Sequence, residues 1–234
     1  MTQIKKIEKK TILEYSIESL RDLITNGSLK TGDFLPGEME LCKQLGVGRS
    51  TLREAIKTLE IQGFIKKKHG VGMMIVEESD KAAADMLQLM LRRKGSTMKD
   101  LIEVRYVNEI RTTELAAMNA NPEDINAIEI QLATLKDNLT SREEYVKADI
   151  DFHMAIAKAS KNEVYYFILN SIRPLIEEMI EETLKYNHKP EKSMKFHEKI
   201  YKYIKQKNVD MAMKAMQEHL EGTRRMLTPR DAKN

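Results

Sequence analysis

Glycine and proline are distributed unevenly along this chain, and their distribution limits what it can fold into more than any other feature. Eight of the ten glycines, Gly27, Gly32, Gly37, Gly46, Gly48, Gly63, Gly70 and Gly72, fall before residue 73, together with Pro36. After Gly95 only Gly222 remains. These residues punctuate local structure more strongly than any others. The first third must therefore be assembled from short elements joined by turns, while the rest is free to run in long helices. The shift places a boundary near Glu77 to Asp80, with expected domains over 9–78 and 81–228. A length of 234 residues suits one or two domains.

In the first domain, residues 9–26 carry Ile12, Leu13, Tyr15, Ile17, Leu20, Leu23 and Ile24, a broad helical stripe that Gly27 stops. A short helix is predicted over 37–45, ended by Gly46. Another is predicted over 49–62, with Leu52, Ala55, Ile56 and Leu59 in phase and Gly63 at its end. Phe64-Ile65 and Met73 to Val76 read as two short strands flanking a basic tip, Lys66 to Gly72. Helix, short helix, turn, helix, hairpin is the order of a winged helix-turn-helix. Beyond residue 81 no strand pattern appears. Seven helices are predicted, over 81–93, 97–119, 122–139, 142–160, 163–186, 190–206 and 208–227. The expected fold class is mainly α: a winged helix-turn-helix followed by an all-α seven-helix bundle.

Several function classes are excluded early. Hydrophobic residues make up 41% and charged residues 32%, a globular balance. No apolar run approaches the roughly 20 residues that span a bilayer, so no membrane partner is expected. The opening MTQIKKIEKK has charge without an apolar core behind it, unlike a secretory signal. The single cysteine, Cys42, offers neither an internal disulfide nor a CxxC metal spacing. A cytoplasmic setting is expected. The fifteen methionines, among them Met86, Met90, Met211, Met213 and Met216, read as flexible core filler.

Net charge is only +3, so nucleic-acid binding must rest on where the charges lie. Between Lys43 and Lys68 seven cations stand against two carboxylates, Glu54 and Glu60. A charge run alone usually solvates a surface. Here it falls on the second helix of a helix-turn-helix and on the wing, where each neutralised phosphate releases counterions. Arg49 and Arg53 are one turn apart and share a face. A guanidinium grips guanine bidentately or clamps a phosphate. Ser50 and Thr51 can donate to phosphates from the first helical turn. His69 and Gly70 form the wing tip, within reach of a minor groove.

In the helical part, Asp149 and His153 fall on the apolar stripe Tyr145, Ala148, Phe152, Ile156, Ala159. His197 shares a stripe with Ile200, Tyr201 and Ile204. His219 shares one with Val209, Ala212, Met213, Met216 and Leu220. Each histidine alone has the plain reading of a satisfied core residue. Three imidazoles and a carboxylate on core-facing stripes of three helices can instead converge on one ion. Such a set suits a divalent transition metal, with zinc first and nickel, cobalt, manganese or iron as alternatives. Arg105 follows Leu101 and Ile102 on its helix. It reads either as an arginine paired with Glu109 at i+4, or as a pocket arginine for a carboxylate ligand.

Two stretches carry a family resemblance. LPGEMELCKQLGVGRSTLREAIKTLEIQGFIKKKHGVGMMIV, residues 35–76, resembles the DNA-binding domain of the GntR family of bacterial transcription regulators. DIDFHMAIAKASKN, residues 149–162, resembles the D-x-x-F-H-x-x-[LI]-x-x-A-S-x-N signature of the FCD domain, which defines the FadR subgroup. The resemblance implies DNA contacts from Arg49, Ser50, Thr51, Arg53, His69 and Gly70. It also implies metal ligation by Asp149, His153, His197 and His219, as in the metal-binding branch and not the acyl-CoA-binding one. It gives Arg105 the task of holding a small organic acid over the metal, and it implies a homodimer on a palindromic double-stranded operator. Seven helical segments fit the FadR-like subtype. Met39 departs from the family, which usually has an arginine there, and Gly37 and Gly48 stand where serine caps are common. The expected function is a ligand-responsive transcription regulator, a repressor rather than an enzyme. The rival readings are a metal-dependent enzyme fused to a DNA-binding domain, and a constitutive DNA-binding protein with a structural metal.

Overall fold

A computed structural model describes residues 10–68, 70–185 and 189–227. Among them the order is α1 (Ile12–Thr25), α2 (Glu38–Leu45), α3 (Arg49–Ile61), β1 (Ile65–Lys68), β2 (Gly72–Ile75), α4 (Ser79–Arg93), α5 (Met98–Asn119), α6 (Pro122–Asp137), α7 (Arg142–Ala159), α8 (Glu163–Ser171), α9 (Arg173–Lys185), α10 (Pro190–Lys205) and α11 (Val209–Leu227). The chain divides into two compact units, 1–86 and 87–234, with α4 running across the division. No helix among the described residues is long and apolar enough to cross a membrane.

The first unit is a small winged helix-turn-helix. α1 and α2 pack on α3, and α3 packs on β1. Leu20, Leu41, Leu52, Ile56, Leu59, Ile65 and Ile75 form its core, each almost fully buried. Gly46 closes α2 in the left-handed region at φ 66°, with its N–H donating to Cys42 O. Glycine carries no steric penalty in that region. The hairpin is antiparallel and pairs Ile65 with Ile75 and Lys68 with Gly72. β1 therefore runs through Lys66, Lys67 and Lys68, which the sequence reading gave to the tip. Its burial pattern shows why: Ile65 alone is buried and the three lysines are exposed, so the pairing leaves no alternation to read. Residues 32–35 also add to the outer side of β2, with Ile75 N donating to Asp33 O at 2.8 Å and Leu35 N to Met73 O at 2.8 Å.

The second unit is all-helical. α7 lies at its centre, packed against α5, α6, α8 and α9, while α11 lies along α5 and α10. A surface helix buries one stripe, whereas α7 buries residues all round its axis, as a central helix must. Capping boxes start α5, where Thr97 and Asp100 bond reciprocally, and α6, where Asn121 and Asp124 do so ahead of Pro122. The single helix predicted over 163–186 is two. α8 ends at Ser171 and α9 begins at Arg173, so eight helical segments are described after residue 78 rather than seven. Pro174 is the cause: it has no N–H to give and its ring would strike the carbonyl four residues back. Residues in phase on either side hid the break.

The methionine reading holds for Met73, Met154, Met179, Met194 and Met216, which are buried, whereas Met86, Met90 and Met211 are exposed.

Candidate metal centre and DNA-reading face

The DNA-reading candidates sit on the first unit. Arg49 is the first residue of α3, behind Gly48, which caps the helix without a side-chain hydrogen bond. The N–H groups of that turn are left to solvent or to an anion. Arg49, Ser50 and Arg53 are exposed and Thr51 is half-buried. Arg53 Nε donates to Glu38 Oε2 of α2 at 2.9 Å. Met39, beside Glu38, is 72% exposed. Gly70 is exposed at φ 73° in the turn joining β1 to β2. His69 lies outside the described residues.

The helical unit brings its candidate ligands together. His153 comes from α7, His197 from α10 and His219 from α11, all buried. One ring nitrogen from each lies within 4.8 Å of the others. The rings of His197 and His219 are 4.5 Å apart by centroid, and those of His153 and His219 are stacked at 5.2 Å. Asp149, one turn before His153, has its oxygens 3.3 Å from His197 Nε2 and 3.8 Å from His153 Nε2. Tyr145, a further turn back, donates its hydroxyl to Asp149 Oδ1 at 3.3 Å. Burial, and then the Asp149 charge, push the Tyr145 phenol upward, so it remains a donor. Burial, and then the neighbouring His197 and His153, push the His219 ring well below its ordinary value. That keeps His219 neutral, the form that ligates metals.

The three histidines come from three packed helices and could hold an ion, with Asp149 beside them to supply one negative charge, and imidazole and carboxylate suit the borderline metals.

Arg105 lies in the same interior, only 2% exposed, and its Nε is 2.5 Å from Glu109 Oε1. The other Glu109 oxygen is 2.5 Å from His153 Nδ1. Burial works against a charge on Glu109, but Arg105 and His153 outweigh it and hold the carboxyl well below the usual carboxylate range. Glu109 thus links Arg105 to a candidate ligand, the place where a metal-binding histidine usually finds a carboxylate. The sequence reading weighed Glu109 only as a partner for Arg105. The available signal was its position one turn along the same face.

More of α5 belongs to this interior than was predicted. Asn108, Glu109, Thr112 and Thr113 are all buried. Thr112 donates to Glu109 O, and Asn108 Nδ2 donates to Tyr165 O at 3.2 Å. Among the described residues Asn108 Oδ1 and Thr113 Oγ1 are buried with no hydrogen-bond partner. Such groups are costly inside a protein unless something satisfies them.

Known proteins agree with this architecture. The model of "Bacterial regulatory proteins, gntR family" matches residues 16–75, and that of the FCD domain matches 100–222. The chain is 32% identical to the HTH-type transcriptional regulator LutR of Bacillus subtilis over 211 residues, covering 88% of this chain and 96% of that one. It is 30% identical to the Glc operon transcriptional activator of Escherichia coli K12, covering 95% and 91%. Among solved structures, "Streptococcus agalactiae GntR" superposes with a TM-score of 0.75 at 28% identity, covering 91% of this chain and 99% of that one. The relatives are transcription regulators and not enzymes, which removes the fused-enzyme alternative. The chain belongs to the GntR family of bacterial regulators, in the group that carries an FCD domain, and it is a DNA-binding transcription regulator.

Proposed function

We propose that this regulator is a metal-dependent sensor of a small organic acid that acts as a homodimeric repressor. Two winged helices bind a palindromic operator about one helical turn apart. Arg49, Ser50, Thr51 and Arg53, with His69 and Gly70 of the wing, contact the DNA. Asp149, His153, His197 and His219 hold a divalent transition metal, zinc first among the alternatives. When bound, such an ion supplies a Lewis-acidic position for a ligand carboxylate.

The observation that carries this reading is the chain of contacts from Arg105 through Glu109 to His153, set beside two further imidazoles and Asp149. A purely structural metal needs no buried arginine next to it. An anionic ligand does, because a guanidinium has five donors and Glu109 takes Nε. Asn108 Oδ1 and Thr113 Oγ1, buried on the same helix without partners, are further candidates to meet the polar groups of a small acid. Its binding favours one arrangement of the paired DNA-reading domains and lowers operator affinity. Only a ligand with different affinity for the two arrangements can do this.

The test is a thermal-shift screen of small organic acids against metal-loaded and chelator-stripped protein. A ligand that binds only the folded state raises the melting temperature by mass action. The expected result is an acid that stabilises the loaded protein but neither the stripped protein nor Arg105→Ala. If no acid shifts the loaded protein, or if Arg105→Ala responds as the wild type does, the sensor reading fails and the metal is structural.

A further inference from the structure

Arg49 and Arg53 share one face of α3, yet the fold treats them differently. Arg49 is exposed at the helix start, where the nearest backbone N–H groups favour an anion. Arg53, one turn further in, donates Nε to Glu38 at 2.9 Å. Among the described residues that is the only hydrogen bond or ion pair of Arg53, so both terminal nitrogens are open. Glu38 is the less exposed of the two. It is the first residue of α2, where a carboxylate complements the helix dipole, and its side chain is 31% exposed against 63% for Arg53.

We propose that Glu38 is a positioning residue for sequence recognition: by accepting from Nε it orients the Arg53 guanidinium so that its terminal nitrogens read a guanine, while Arg49 anchors on phosphate. The proposal rests on the assignment of Arg53 to the DNA-reading face. Three physical arguments support it. An arginine side chain has large rotamer entropy, and a bond that restrains it before DNA arrives lowers the cost of restraint on binding. Engaging Nε leaves two parallel N–H donors at the far edge, the pattern that matches guanine O6 and N7. A carboxylate at the DNA face also repels phosphates, which disfavours every sequence that does not reward the arginine. A surface ion pair contributes little to stability on its own, so a stabilising role does not account for this one.

The experiment uses the full-length protein. A consensus duplex is first selected by the wild type from a randomised DNA pool. Single guanines are then replaced with 7-deazaguanine, which removes N7. The guanine read by Arg53 is the one whose replacement weakens the wild type but leaves Arg53→Ala unaffected. Glu38→Ala is expected to lower affinity for the consensus about tenfold, in line with one bidentate contact. It is also expected to erase most of the 7-deaza penalty at that guanine, and to leave affinity for random-sequence DNA unchanged or slightly higher. Glu38→Gln keeps an acceptor for Nε and retains most of the penalty, which guards against an Ala variant that folds poorly. The proposal is overturned if Glu38→Ala keeps the full penalty, if it raises affinity equally on all duplexes, or if no guanine shows the Arg53-dependent penalty. Wild-type affinity in Arg53→Ala would instead remove the assignment of Arg53 itself.

Discussion

Glu109→Gln is the substitution that most directly tests how the interior of the helical unit is held. Arg105 is 2% exposed, and its partner among the described residues is Glu109. Removing one partner of a buried ion pair typically costs about 3–5 kcal/mol, because the other charge is left uncompensated out of water. Glutamine is nearly the same size and its amide oxygen can still accept from Nε, so the loss belongs at the lower end, about 3 kcal/mol. For a chain of this length, about 2–4 °C of melting temperature is lost per kcal/mol. The expected drop is therefore roughly 6–12 °C, read by circular dichroism with chelator present so that metal affinity does not contribute. The control is Arg105→Met combined with Glu109→Gln, which removes both charges. That double variant should be more stable than Glu109→Gln alone, since replacing a buried pair by apolar groups is often neutral. A Glu109→Gln melting temperature within about 2 °C of the wild type would refute the reasoning, as would a double variant less stable than the single. The same substitution also removes the carboxylate beside His153. Loss of such a supporting carboxylate typically costs about 10–100-fold in metal affinity, which a competition titration against a chelating dye would read.

Other consequences follow from particular residues. Gly63 sits at φ +76°, and a Cβ there would lie 2.4 Å from Glu78 O, so Gly63→Ala combines a left-handed penalty of about 1–2 kcal/mol with a backbone shift; urea unfolding should show a loss of at least that size, and a loss under about 0.5 kcal/mol would count against the close approach. Met39 is exposed where the family usually has an arginine, so Met39→Arg should strengthen operator binding and steepen the salt dependence of log K by about 0.9; an unchanged slope means that the side chain does not reach a phosphate. Burial opposes the charge of Asp124, but Lys161 and the Asn121 N–H hold its carboxyl below the ordinary value. A depressed folded value means that this stabilisation is present above the unfolded pKa near 3.8 and is lost as pH falls below it. Melting curves of Asp124→Asn should accordingly fall less steeply with acid than those of the wild type, and parallel curves would contradict the pairing.

What could be read in the sequence, and what could not, follows from which signal each residue leaves. His153, His197 and His219 were legible because a polar residue on an apolar stripe is conspicuous: the neighbours on α7, α10 and α11 state which way the side chain faces. The buried face of α5 gave no such warning. Its positions 102, 105, 109, 112, 113 and 116 have the period of a helix, but four of the six are polar or charged, so the hydrophobic pattern is nearly flat. Only tertiary packing reveals that Glu109 completes the link from Arg105 to His153. The same limit explains β1, where three exposed lysines are held by backbone pairing that side-chain alternation cannot report. It also explains the break at Pro174, where local backbone chemistry overrode an unbroken apolar phase. On α5 the positions that are hard to read are also ones that cost stability. An all-apolar α5 face would bury more comfortably than one holding Arg105, Asn108, Glu109 and Thr113. Keeping four such groups inside a helical unit, with Asn108 Oδ1 and Thr113 Oγ1 among the oxygens that have no hydrogen-bond partner, is what the proposed binding of a small polar acid would require. On the proposed function Asn108 and Thr113, which do not touch the histidines in any described contact, help to select the acid. Asn108→Ala and Thr113→Val should therefore change which acid stabilises the protein while leaving metal affinity within about twofold of the wild type, and an equal loss of metal affinity would refute the assignment.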